Sequence, residues 1–381
     1  MNKAQVQAML QENILGFWKR MRDPDGGFYG EADFNGVIRR DAPRSAVLCA
    51  RIAWSYAAAF RAFGRADDLK LARWAGDDFL AHFIDPVYGG AYWSTDASGK
   101  PLEDKKQLYA QAFGIYGLSQ LYRASGDPRY KVAAAGLWEI VRGHFHDRVH
   151  GGYTEALARD FSPLTDMSLS GNDINAPKTM NSHLHLAEGL AELYRIRPDD
   201  TLRGETAFLL DLLTGRMTDG TGHLRLYFRE DWTPLPSQNS PGHDIETSWL
   251  ALECAEALGD RSLFEALLPR CRRLADAGNA IVRSDGSLEG NPEWWVYAEM
   301  TVGNLWLSRE HHDAEARIRA QKILDFIRVH LTDPDGEWYW SLRSDGTPDP
   351  AYPKAGFWKC PYHNSRMCLE ILRDFRHFSL S

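Results

Sequence analysis

Three histidine clusters stand out in this chain: Asn181-Ser182-His183-Leu184-His185, Gly242-His243-Asp244-Ile245-Glu246 and Trp358-Lys359-Cys360-Pro361-Tyr362-His363-Asn364-Ser365-Arg366. Each places a histidine among aromatic, amide or carboxylate side chains at the start of an apolar helical pattern. Histidine is the one side chain whose ordinary pKa lets it both take and give a proton near neutral pH. Three such clusters far apart in sequence point to proton transfer at one convergent site.

His243 and Glu246 are spaced i, i+3 and so occupy neighbouring positions on one helix face. The carboxylate would orient the imidazole or bind a substrate hydroxyl; the competing reading is a surface capping arrangement. His363 follows the restricted Pro361-Tyr362 turn, and Trp358 five residues earlier offers a stacking wall. Asn181 and His185 share a face, whereas His183 points elsewhere and reads as structural. A helix separates a His-x-His pair, and no neighbouring ligand pattern completes a metal site, so no metal is expected. Arg51 sits in the apolar stretch Cys49-Ala50-Arg51-Ile52-Ala53-Trp54. A buried guanidinium is costly unless paired, so Arg51 either closes a salt bridge or points at a substrate oxygen. Tyr109 and the Glu293-Trp294-Trp295 run are further candidates, each of a type that more often packs a core.

The elements that must position these residues are visible as a repeat. Asp-Pro-Asp-Gly-Gly-Phe-Tyr (23–29), Asp-Pro-Val-Tyr-Gly-Gly-Ala-Tyr-Trp (85–93) and Asp-Arg-Val-His-Gly-Gly-Tyr (147–153) share one pattern, with looser copies at Thr218–Tyr227, Ser284–Glu289 and Asp333–Trp340. The first three Gly-Gly pairs lie 63 and 62 residues apart. A fixed period of this size signals a repeat architecture. Amphipathic helical patterns fill the intervals, over 44–63, 105–123, 128–142, 181–195, 245–258 and 313–330. Turn signals such as Ser125-Gly126-Asp127-Pro128 separate them. Each period thus holds two helices and a short Gly-rich hairpin. Six helix pairs predict an all-α (α/α)6 barrel; an open solenoid is the alternative. Six units without an obvious polar capping repeat favour closure. No linker interrupts the chain, so residues 1–381 read as one domain.

Composition narrows the function. Net charge is −8, which argues against a nucleic-acid or anionic-membrane partner. No apolar run approaches the ~18 residues needed to span a bilayer. Residues 2–21 read as an amphipathic helix with Val6, Met9, Leu10, Ile14 and Trp18 on one face, not as a signal peptide. Five cysteines with no C-x-x-C pair suggest free thiols in a reducing cytoplasm. Aromatic residues make up 12% of the chain, and those in Gly-rich loops suit sugar rings. There is no G-x-G-x-x-G, P-loop or G-x-S-x-G, and nothing demands a cofactor.

Met180–His185, Gly242–Leu250, Glu293–Val296 and Trp358–Arg366 together resemble the N-acylglucosamine 2-epimerase superfamily, most of all its cellobiose 2-epimerase branch. The resemblance runs from about Arg51 to the C-terminus. It implies an (α/α)6 barrel and cofactor-independent epimerisation at C2 of a reducing-end sugar. It further implies that His363 is the general base, that His243 is its partner on the opposite face, and that Glu246 supports His243. His185 and Arg51 match positions that stabilise an enediolate; Asn181, Tyr109, Trp295 and Trp358 match sugar-contacting positions. The expected substrate is a β-1,4-linked disaccharide such as cellobiose or lactose, acted on by a cytoplasmic monomer or homodimer. A mannose 2-epimerase or an aldose–ketose isomerase on the same histidines is a close rival. An inverting glycoside hydrolase would need a carboxylate pair in place of histidines. A non-catalytic sugar-binding helical repeat would tolerate their loss.

Overall fold

The computed structural model describes residues 2–171 and 173–378, with side chains to 374. Its helices alternate between an inner and an outer ring. The inner helices are α2 (Ala46–Phe63), α4 (Leu108–Ser125), α6 (Met180–Tyr194), α8 (Pro241–Leu258), α10 (Trp294–Glu310) and α12 (Tyr362–Phe378). The outer ones are α1 (3–20), α3 (Ala66–Asp78), α5 (Pro128–Ile140), α7 (Asp200–Asp211), α9 (Arg261–Gly278) and α11 (Ala314–Phe326). Each inner helix packs on the next, and α12 packs back on α2, so the ring closes. This is the (α/α)6 barrel that the repeat predicts. No described helix is long and apolar enough to cross a membrane.

Burial explains why the two rings differ in sequence. Inner helices are covered on all sides: in α2 every residue from Ala46 to Ala59 is buried, Arg51 included. Outer helices keep one apolar stripe and a charged outer face, as in α9, where Phe264, Leu267, Cys271, Leu274 and Ala275 face inward. Tight inner crossings depend on glycine. A Cβ at Gly117 would lie 2.5 Å from the Ala50 carbonyl oxygen, and one at Gly189 would lie 2.8 Å from that of Ala112. These two positions bring α4 against α2 and α6 against α4 at backbone contact.

Left-handed glycines make the return from inner to outer helix. Gly64, Gly126 and Gly259 terminate α2, α4 and α8 at φ 71°, 69° and 65°. Each is followed within two residues by the next outer helix, with Asp127 and Asp260 as N-caps and Pro128 at the first position of α5.

The six Gly-rich loops each form a one-bridge hairpin: Arg22 with Phe28, Ile84 with Ala91, His146 with Tyr153, Thr218 with Leu224, Val282 with Leu288, and Thr332 with Trp338. Behind them, the residues just before an inner helix pair with the following repeat. Arg44-Ser45 joins Ser94-Thr95, Lys106-Gln107 joins Ala156-Leu157, and Lys178-Thr179 joins Tyr227-Phe228. The pairing of Ala32 with Ala355 carries this belt across the junction of first and last repeats. Four loop aspartates also clamp a cation two or more residues ahead of an inner helix. Asp85 holds Lys106 at 3.0 Å and Asp147 holds Lys178 at 2.6 Å; Asp23 and Asp333 hold Arg44 and Lys354. The repeated loops therefore fix where inner helices begin, and the histidine clusters lie at those beginnings.

Candidate active site

The N-terminal halves of the inner helices deliver Arg51, Tyr109, Asn181, His185, His243, Glu246, Trp295 and His363, and Trp358 arrives on the segment before α12. Arg51, Tyr109, His185, Glu246 and His363 are all buried. Arg51 is the first surprise. Among the described residues no carboxylate pairs with it. Its Nη2 donates to the Tyr109 hydroxyl at 2.9 Å, its Nη1 lies 3.9 Å from the Cys360 sulfur, and its guanidinium packs 4.1 Å from the Phe113 ring centroid. Its Nε has no partner among the described residues. Burial opposes its charge, but Tyr109, Cys360, Tyr362 and Glu246 outweigh that and hold its pKa above the ordinary value. A permanently charged group with unused donors is suited to an anionic oxygen.

Each histidine is held at Nδ1 by a different partner. His185 meets Glu188 Oε2 at 2.9 Å and His363 meets Glu299 Oε1 at 2.7 Å. His243 meets the Ser240 hydroxyl at 2.7 Å. Trp295 touches two of the imidazoles, its ring 4.8 Å from that of His243 and 5.7 Å from that of His363. A Cβ at Gly242 would sit 2.7 Å from Trp295, so glycine there lets α8 start against the indole. Tyr109 lies edge-on to His185 at 5.2 Å and to Trp358 at 6.0 Å. Asn181 and His243 line a cavity of about 60 Å³ roofed by Met167–Leu169, Asp173 and Ile174. The Asn181 Oδ1 is buried there with no partner among the described residues.

Burial lowers the pKa of all three imidazoles and so favours their neutral form. It lowers His243 to about 3, helped by His185, and lowers His185 and His363 as well, the latter with help from Arg51 and Arg366. Neutral imidazole is the form that accepts a proton.

One expectation needs correction. Glu246 does not support His243. It lies one helical turn deeper, where its Oε1 accepts from Arg366 Nη2 at 3.0 Å and stands 3.8 Å from His363 Nδ1. The i, i+3 spacing is real, but His243 is only the third residue of α8. Its ring reaches back toward the helix start and Ser240, while Glu246 faces the axis. His183, by contrast, is structural as expected: it accepts from Tyr153 N at 3.0 Å and meets the Thr179 carbonyl at 2.6 Å.

The floor of the site was not anticipated. Arg366 binds Glu188 at 2.5 Å, Glu246 at 3.0 Å and Glu299 at 2.8 Å, and Tyr362 joins it on Glu188. Trp249 Nε1 donates to Glu299 at 2.9 Å. Burial would raise Glu188, but Arg366, His185 and Tyr362 outweigh it and leave it at about 2. Burial, then the charge of Glu299, pushes Glu246 well up. Burial raises Glu299 as well, although it accepts from Arg366 and Trp249 and meets His363. The missed signal is a shared spacing: His185 to Glu188, His243 to Glu246 and His363 to Arg366 are all i, i+3. Glu299, inside the apolar run Val296–Val302, shows itself only as a carboxylate where none belongs.

Glu246, Glu299 and His363 offer three ligand atoms within 4.8 Å of one another. Arg366 already donates to both carboxylates, so a divalent cation there would face a guanidinium at contact distance. The donor set fits an ionic floor centred on Arg366 better than a metal.

An all-α barrel thus gathers three imidazoles, an arginine without a carboxylate partner and aromatic walls at the starts of its inner helices, groups of the kind that can move a proton on a hydroxylated substrate. Comparison with known proteins agrees. Residues 27–365 match the N-acylglucosamine 2-epimerase (GlcNAc 2-epimerase) family. The cellobiose 2-epimerase of Bacteroides fragilis is 42% identical, over 98% of this chain and 99% of its own. Among solved structures, a sugar epimerase from a ruminal bacterium superposes with TM-score 0.94 at 31% identity, covering 98% of this chain and 99% of its own. The cellobiose 2-epimerase of Spirochaeta thermophila gives 0.92 at 34% identity, covering 99% and 97%. The chain belongs to the N-acylglucosamine 2-epimerase family and is a carbohydrate epimerase of the isomerase class.

Proposed function

We propose that this protein inverts C2 of the reducing-end sugar of a β-1,4-linked disaccharide, cellobiose or lactose, without a cofactor. The observation that carries the reading is the convergence of His185, His243 and His363, neutral and backed at Nδ1, around an arginine with no carboxylate partner. The full-length similarity to cellobiose 2-epimerases supports the substrate class.

In this mechanism the pyranose first opens, because only the free aldehyde makes the C2 proton acidic. His363 removes that proton through the nitrogen that Glu299 does not occupy. Negative charge then develops on the enediolate oxygens, where Arg51 and His185 stabilise it. Rotation about C2–C3 turns the other face outward, and His243, having taken a proton from solvent onto its free nitrogen, gives it to C2 there, while His363 releases the proton it took to solvent before the next turnover. Trp295 packs on both bases and sets their separation. Asn181, Tyr109 and Trp358 hold the sugar. Glu246 and Arg366 support His363 from below rather than touching substrate. The same groups would perform aldose–ketose isomerisation if the proton returned at C1. Five buried free thiols support a reducing, cytoplasmic setting.

The test is a proton NMR time course in D₂O with cellobiose, lactose and mannose, after dialysis against a chelator. The expected result is growth of the 2-epimer with deuterium at C2, fastest for a disaccharide. A ketose product would move the reading to isomerase, cleavage would replace it with hydrolase, and loss of activity on chelation would remove the cofactor-free mechanism.

A further inference from the structure

The three inner helices α2, α6 and α8 are each preceded by a hydroxyl residue at the N-cap: Ser45, Thr179 and Ser240. Two of them do what such residues ordinarily do. Ser45 Oγ accepts from Leu48 N at 2.9 Å, and Thr179 Oγ1 accepts from Ser182 N at 3.2 Å, each the backbone donor three residues on. Ser240 does not. Its side chain caps no backbone N–H of α8. The residue three positions on is His243, and Ser240 Oγ meets that residue's ring at Nδ1, 2.7 Å away, instead of its main chain.

The partner's chemistry also differs from that at the other two imidazoles. His185 and His363 face carboxylates. A carboxylate accepts only, and its charge favours an imidazolium. A hydroxyl is neutral and either donates or accepts. No described hydrogen bond is made by His243 Nε2, so Nδ1 is the nitrogen whose state the protein sets.

We propose that Ser240 is a positioning residue for the epimerisation, which accepts from His243 Nδ1–H so that Nε2 is the reacting nitrogen. The inference rests on the two-base reading above. The partner differs in kind from the carboxylates at His185 and His363, so Ser240 orients the His243 ring without placing a charge on it.

The experiment compares Ser240→Ala and Ser240→Thr with the unaltered protein, in steady-state kinetics and in ¹⁵N NMR of the imidazoles, with His243 assigned by its loss in His243→Asn. Because Ser240 caps no N–H, Ser240→Ala is expected to leave Tm within about 2 °C. Its kcat is expected to fall at least tenfold, part of the ~10²–10⁴ that a placed acid or base supplies, with KM within about twofold. The His243 ¹⁵N shifts should move from the Nδ1–H tautomer toward a mixture. Ser240→Thr keeps the hydroxyl and should restore both. Unchanged kcat and unchanged shifts in Ser240→Ala would overturn the proposal, as would failure of a folded Ser240→Thr to recover. If the unaltered protein exchanges no C2 proton with any sugar, the functional reading fails, and the ¹⁵N shifts alone decide whether Ser240 sets the tautomer.

Discussion

At the scale of residues, the proposed mechanism separates groups that meet substrate from groups that hold them. His363 and His243 are assigned to opposite faces, and each should be indispensable. His363→Asn and His243→Asn are each expected to lower kcat by about 10²–10⁴, with the fold intact by circular dichroism. A binding module would retain sugar affinity and show no such loss, because it has no turnover to lose. Protonation gives a second check. Burial holds His243 at about 3 and the structural His183 at about 4. Both stay neutral in the folded state as pH falls below 6.5, while the unfolded chain takes up protons there. Each therefore removes stability progressively between pH 6.5 and its folded value. The ¹⁵N shifts of His243 should remain those of a neutral ring at pH 5; an imidazolium signal there would show that its surroundings do not hold it neutral.

At the scale of elements, the loops place helix starts and glycines set helix spacing. The aspartate clamps on Arg44, Lys106, Lys178 and Lys354 recur from repeat to repeat, which is why side chains distant in sequence reach one axis. Between helices, Gly117 is the tightest point against the α2 backbone. Gly117→Ala replaces a hydrogen with a methyl aimed at the Ala50 carbonyl, a group that cannot swing aside. It should cost about 1–3 kcal/mol in urea unfolding. It should also lower kcat, because the displaced pair, α2 and α4, carries Arg51 and Tyr109. An unchanged unfolding midpoint would mean the two helices have slack that their packing does not show.

For the whole molecule, the decisive feature is the seam where the last repeat meets the first. Glu337 is fully buried there and accepts from Trp18 Nε1 at 2.6 Å, Lys359 Nζ at 3.1 Å and Asn364 Nδ2 at 2.6 Å. It ties α1 to the start of α12, the helix that carries His363 and Arg366. Glu337→Ala would leave the Lys359 ammonium buried and unpaired, a loss of about 3–5 kcal/mol. Activity should fall with it even below the melting temperature, read by thermal unfolding alongside kcat. A variant as stable and active as the parent would show that closure does not depend on this ionic knot.

Much of this could be read from the chain alone, for reasons of locality. A 62- to 63-residue period, two amphipathic helices per period and a Gly-Gly turn are short-range patterns, and together they imply the barrel. His185, His243 and His363 stood out because a histidine at a helix start has a recognisable neighbourhood. His183 was set apart by its face on the helix. What the chain could not display is which distant side chains touch. Glu246 was assigned to His243 because they are near in sequence, yet one helical turn sends them to different partners. Glu188, Glu299 and Arg366 come from three inner helices and become one ionic floor only when the ring closes. Ser240 looks like an ordinary helix cap until its hydroxyl is seen on the His243 ring. Local pattern determines the elements and the chemical types at their starts; the closed ring alone decides which groups are buried together, and burial together is what sets their charge.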